Sequence, residues 1–262
     1  MSMPDANHVV LTRDGDVATL SFNRPAALNA LDVPTAAAFL AACRTLARDP
    51  QPRAVVIRGE GRAFGVGGDL AALRQGTGET VLALIEYMHE GIKILAALDA
   101  PVIASVHGAV AGGSLSLSLA CDLAIAAEGT RFNLAYTSVA ASCDVSGSWS
   151  LPRMVGLRHA LRIALLSPTV DAAEALQLGL VCRVVPAWQL EQETRELAQR
   201  LAAGPTLAYG RMKRLMRQSF EHDFASQLDA EREAFKASSE TADFSEAIAA
   251  FFDKRPAVFK GG

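Results

Sequence analysis

Apolar and polar residues alternate over 9–22 and break at Asp14-Gly15, a pattern that predicts a β-hairpin with a tight turn. Asn23-Arg24-Pro25 ends the second strand. Asp32 then caps an alanine-rich helix over 33–47 that stops at Asp49-Pro50. Apolar runs over 54–58, 101–106 and 123–126 predict buried strands, with helices over 81–98 and 114–120 between them. Strand and helix alternate, as in an α/β core.

From residue 167 the pattern changes. A helix is expected over 170–178, stopped by Gly179, then a strand over 180–185. Residues 205–217, 224–236 and 244–254 predict three amphipathic helices. A helical tail of this length packs on its own core or on a neighbouring subunit. A boundary is expected at Ala203-Gly204-Pro205, between a core over 1–203 and a helical region over 204–262.

Composition narrows the function. Half of the 262 residues are hydrophobic and the net charge is −3, so no global field favours nucleic acid. The cluster Arg211, Lys213, Arg214 and Arg217 reads as a solvated helix face. Four scattered cysteines form no CxxC pair and have no histidine at zinc spacing. Reduced thiols in a cytoplasmic protein without a metal site are expected. Residues 1–7 are polar and lack the order of a signal peptide. Residues 101–121 carry no charge and contain Gly108-x-x-x-Gly112, a membrane-helix spacing, but His107, the serines and Asp122 favour a buried strand–turn–helix.

The chemistry is concentrated in Phe64-Gly65-Val66-Gly67-Gly68-Asp69-Leu70 and His107-Gly108-Ala109-Val110-Ala111-Gly112-Gly113-Ser114. Each follows a strand-like run and opens into a helical segment, a geometry that leaves main-chain N–H groups unpaired. Two such sites facing each other make an oxyanion hole, suited to a carbonyl oxygen that gathers negative charge.

Six motifs in order resemble the crotonase (enoyl-CoA hydratase/isomerase) superfamily over nearly the whole chain. They are Phe22-Asn23-Arg24-Pro25 with Leu28-Asn29-Ala30-Leu31, the two glycine stretches, Leu151-Pro152-Arg153, Ala172-Ala173-Glu174-Ala175 with Gly179-Leu180-Val181, and Phe251-Phe252-Asp253-Lys254-Arg255-Pro256. The resemblance implies a spiral of ββα units with a C-terminal trimerisation region, a homotrimer or dimer of trimers, and acyl-CoA thioesters as substrates. Coenzyme A then arrives as part of the substrate, with no separate cofactor. The family's oxyanion donors fall on Gly68 and Gly113. Its CoA contacts fall on Arg24, Ala26, Leu28, Val66, Asp69, Phe251 and Lys254.

The chain departs from the hydratase pattern. The two hydratase glutamates fall on Ser116 and Tyr136, neither of which can be a carboxylate base. Asp144 stands where several CoA isomerases of the superfamily carry an aspartate, and 149–153 particularly resembles the phenylacetate-pathway ring-epoxide and enoyl-CoA isomerases. One carboxylate can lift a proton and return it elsewhere on the substrate without adding water. Apolar Val139, Val145 and Trp149 are expected around it. The alternatives are an aryl-CoA dehalogenase with Asp144 as nucleophile and His89 upstream, a weak hydratase, a thioester hydrolase, or a fold kept for binding. Ser116 is expected to bond back within its helix, Tyr136 to wall the pocket, and His89 to lie on a surface or groove.

Overall fold

The computed structural model describes residues 8–48 and 50–262; residues 1–7 and Asp49, part of the expected helix stop, lie outside them. The strands are β1 (Val9–Asp14), β2 (Val17–Phe22), β3 (Ala54–Gly59), β4 (Val102–Val106) and β5 (Ala109–Ala111). They continue as β6 (Leu123–Ala127), β7 (Arg131–Asn133), β8 (Val170–Asp171) and β9 (Arg183–Val185). One sheet has the order β1-β2-β3-β4-β6-β9, antiparallel only within the β1–β2 hairpin. The short strands β5, β7 and β8 form a second sheet.

The helices before the tail are α1 (Val33–Leu46), α2 (Leu70–Gln75), α3 (Gly78–Ala97), α4 (Gly113–Ala120), α5 (Gly147–Leu166), α6 (Ala172–Leu178) and α7 (Leu190–Ala202). The parallel strands are covered on both faces, which is why they read as continuous apolar runs. Val55 and Ile57 of β3 enter the core shared with Phe39 of α1 and Met88 of α3. Ala54 and Val56 enter a second core with Leu197 and Ala198 of α7. The period of two sends alternate residues to opposite layers. Asp32 caps α1 as expected, accepting from the Thr35 N–H.

Several boundaries differ from the pattern. Residues 170–178 do not form one helix: Val170 pairs with Phe132 in β8, and Asp171 then caps α6. The strand expected over 180–185 pairs with β6 only from Arg183 to Val185. Helix α5, which the pattern does not announce, contains Pro152 and breaks at Gly156, with φ 74 and ψ 158. Helix α7 is a further addition, although Leu190, Thr194, Leu197 and Ala198 are buried at helical spacing.

The tail forms α8 (Thr206–Gln218), α9 (Phe224–Ser239) and α10 (Ala242–Asp253), and residues 203–205 lie between α7 and α8. Its basic cluster is not a solvated face. Lys213 Nζ lies 2.6 Å from Asp122 Oδ2, Arg217 Nη2 2.8 Å from Asp122 Oδ1, and Arg214 Nη1 2.8 Å from Asp99. These cations dock α8 on the turns that lead into the parallel neighbours β4 and β6. Burial pulls the Lys213 ammonium below its ordinary pKa, against the pull of Asp122.

Candidate active site

The two glycine stretches lie side by side. Gly65 N–H donates to Ala109 O at 3.1 Å and Ala111 N–H to Gly65 O at 2.9 Å, lacing the first stretch to β5. On the other side, Leu31 N–H donates to Gly67 O at 2.8 Å and Asp69 N–H to Leu31 O at 2.9 Å. Only glycine suits position 67: its φ is +83, and a Cβ there would stand 3.0 Å from Gly113 N and 3.1 Å from Ala111 O. Ser114 Oγ accepts from Gly67 N–H at 3.1 Å, a support that the motifs do not reveal.

Between these ladders, the N–H groups of Gly68 and Gly113 meet no acceptor among the described residues. Gly113 opens α4, whose cap Gly112 offers no side-chain acceptor. Its N–H is therefore one of the open donors of the first turn, with the helix dipole behind it. Leu115, Leu117 and Leu119 are all buried and anchor α4 from within. Two adjacent, preorganised main-chain donors are what a developing oxyanion requires.

Asp144 lies beside Gly113. Its Oδ1 lies 3.7 Å from the place a Cβ would occupy on Gly113, with Val145 Cγ2 at 3.5 Å. The Tyr136 hydroxyl donates to Asp144 Oδ1 and lies 3.1 Å from Ser116 Oγ. Contrary to the expectation from its helical setting, Ser116 does not bond back within α4; it is turned to Tyr136. Gly147 makes room for it, since a Cβ there would stand 2.5 Å from Ser116 Oγ. Burial pushes the Tyr136 phenol far above its ordinary pKa, and the nearby Asp144 charge adds to the rise. The phenol is therefore a donor, held protonated against a carboxylate. Of the three apolar neighbours expected around Asp144, only Val145 is buried; Val139 and Trp149 are exposed. His89 is not a bystander: its Nε2 accepts the Val145 N–H at 3.1 Å.

The expected CoA contacts divide into two groups. Arg24 is engaged within the chain, with Nη2 3.2 Å from both Asp32 Oδ2 and Asp69 Oδ2 and Nη1 donating to Ala30 O at 2.6 Å. Asp69 also caps α2, and its hydrogen bonds from Ala72 and Arg24 hold its carboxyl below the usual range. Ala26 is exposed in the turn Pro25–Ala27, and Leu28 follows with φ 52. The bridge between Leu31 and Gly68 sets this turn beside half-buried Val66. Phe251 and Lys254 lie on the exposed end of α10, a separate place in this chain. Asn29, quoted only as part of a motif, is a fully bonded buried amide. It accepts from Arg24 N–H at 2.8 Å and donates to Glu60 O and Ala63 O at 2.9 and 2.8 Å.

Among the described residues no cluster of His, Cys, Asp and Glu has the arrangement of a metal site, and no helix is long and apolar enough to cross a membrane.

Comparison with known proteins agrees with this geometry. The family model described as enoyl-CoA hydratase/isomerase matches residues 12–262. A probable enoyl-CoA hydratase of Rhodobacter capsulatus is 35% identical over 94% of this chain and 95% of its own length. The 1,2-epoxyphenylacetyl-CoA isomerase of Escherichia coli is 31% identical over 94% of this chain and 95% of its own. The crystal structure of a putative enoyl-CoA hydratase from Streptomyces coelicolor superposes with a TM-score of 0.92 at 32% identity, covering 100% of this chain and 97% of that one. With the paired glycine turns, these matches place the chain in the enoyl-CoA hydratase/isomerase family, on the crotonase fold.

Proposed function

We propose that this enzyme is an enoyl-CoA isomerase in which Asp144 carries the proton. The observation that carries the reading is the placement of Asp144 Oδ1 3.7 Å from the Cβ position of Gly113, while Ser116 and Tyr136 occupy the hydratase carboxylate positions. Gly68 and Gly113 donate to the thioester oxygen. The Asp144 carboxylate takes a proton from C2 of a 3-enoyl thioester, and the electrons pass to that oxygen as a dienolate. The Asp144 carboxylic acid then returns the proton to C4, and the double bond comes to rest between C2 and C3. No water is consumed and no atom is gained. Loss of one oxyanion donor costs on the order of 3–4 kcal/mol of barrier stabilisation.

Coenzyme A is part of the substrate. Its nucleotide end runs along the turn bearing Arg24, Ala26 and Leu28 and past Val66 and Asp69. Phe251 and Lys254 reach it from a neighbouring copy in a homotrimer or dimer of trimers. The 78% exposure of Phe251 supports that assignment.

A second reading has Asp144 attacking an aryl-CoA ring as a nucleophile; a 4-chlorobenzoyl coenzyme A dehalogenase of Arthrobacter, 32% identical over 97% of this chain, supports it. The test is 3-enoyl-CoA in D2O, followed by mass and absorbance, beside Asp144→Asn. Formation of conjugated 2-enoyl-CoA without the mass of water, lost in the variant, supports the isomerase. Untouched 3-enoyl-CoA with intact binding of CoA esters sinks it, and ring-epoxide and halogenated aryl thioesters become the substrates to try.

A further inference from the structure

The turn that carries Asp144 is held in an unfavourable conformation. Val145 has φ 51 and Ser146 φ 72, so two successive residues occupy the left-handed region. For a β-branched residue this is an outlier, and it persists only where the surroundings enforce it. Helix α5 begins directly afterwards with no side-chain cap. Something else must hold the turn.

Packing supplies one part, since the Val145 side chain is buried against the Gly113 turn. The Gly147 N–H closes the turn on Asp144 O at 2.9 Å, and from outside it His89, 56 residues earlier on α3, brings its Nε2 to 3.1 Å from Val145 N. A main-chain amide only donates, so Nε2 accepts and the neutral ring carries its proton on Nδ1. The ring is not free to follow the turn. Met88 beside it is fully buried, and a Cβ on Gly91 would collide with Phe39 Cε1, so α3 is seated against that phenyl ring.

We infer that His89 is a positioning residue: by accepting the Val145 N–H it fixes the left-handed turn and so aims the Asp144 carboxylate at the oxyanion pair. This deepens the proton-carrier reading of Asp144 and rests on it. The same geometry removes His89 from the role of general base. Its one basic lone pair is held by main chain, and the Nδ1 lone pair belongs to the aromatic ring.

The experiment compares His89→Gln, His89→Leu and Asp144→Asn in the turnover of 3-enoyl-CoA in D2O. It adds a long-range proton–nitrogen spectrum of the histidine-labelled wild type. The amide oxygen of the glutamine variant can still accept the Val145 N–H, whereas leucine cannot. The expected result is kcat within about threefold of wild type for His89→Gln and lower by up to about a hundredfold for His89→Leu, with KM little changed in both. The spectrum should show His89 as the Nδ1–H tautomer. Equal, severe loss in both variants would reassign His89 as the base. Full activity of His89→Leu, or a proton found on Nε2, would overturn the positioning role. Should His89→Leu fail to fold, the tautomer and the glutamine rescue still decide. Wild-type turnover by Asp144→Asn would be a separate failure, that of the proton-carrier reading.

Discussion

The Tyr136 hydroxyl donates to Oδ1 of Asp144, so the carboxylate beside Gly113 is steadied by a buried phenol. Ser116 completes the pair from α4. The three residues come from three separate elements and meet opposite Gly113.

The protonation of Tyr136 can be read directly. Burial and the Asp144 charge raise its pKa, so the folded chain keeps this proton at about pH 10, where an ordinary tyrosine loses it. The chain has three tyrosines. A titration at 295 nm should give the same phenolate amplitude up to that pH for wild type and Tyr136→Phe. The sign for stability follows: above about pH 10 the unfolded chain releases this proton and the folded chain does not, so stability falls with rising pH. Urea unfolding at pH 8 and pH 10.5 should show a smaller alkaline loss for the phenylalanine variant.

Gly67→Ala tests the hole without touching a donor. The new Cβ would press on Gly113 N and Ala111 O at 3.0 and 3.1 Å, in a backbone conformation that disfavours alanine. The two turns must part. Loss of donor alignment should lower kcat by about 10²–10³-fold. Wild-type turnover by a folded Gly67→Ala protein would separate these turns from catalysis.

Asp122 neutralises two cations at once, and its side chain and that of Lys213 are only 14% and 10% exposed. Asp122→Ala leaves both cations without their partner and should cost about 3–5 kcal/mol in urea unfolding. Adding Lys213→Met removes one stranded charge and should recover part of that loss. An unchanged unfolding midpoint in Asp122→Ala would show that α8 docks by its apolar face alone.

Asn29→Ala strips partners from Arg24 N–H, Glu60 O and Ala63 O. It also leaves an alanine at φ 56. A loss of about 2–4 kcal/mol is expected, measured by thermal or urea unfolding.

Elements whose side chains face one core, or both cores evenly, are plain in the residue pattern. The hairpin, β3, β4, β6, α1 and α3 are of this kind, since period and caps agree there. Helix α5 is hidden because Pro152 and Gly156 interrupt its period, and β8 because it is only the two residues Val170–Asp171. In the site, the two glycine stretches with the family resemblance single out Gly68 and Gly113, whose N–H groups meet no acceptor among the described residues, and the missing glutamates draw attention to Asp144. The tertiary bonds are out of reach. Ser114 to Gly67, His89 to Val145 and the docking of Lys213 on Asp122 join residues 47, 56 and 91 positions apart, with no local signature.

The aim of the Gly68 donor is set by main-chain bonds to Leu31, and by Asp69, which Arg24 grips from behind. None of those groups belongs to Ser116, Tyr136 or Asp144. In the proposed reading, the Gly68 half of charge stabilisation is thus supported apart from proton handling. Ser116 and Tyr136 then become the positions to re-equip, for instance with Ser116→Glu and Tyr136→Glu, while the Gly68 turn keeps its own supports, a chassis for redirecting thioester chemistry.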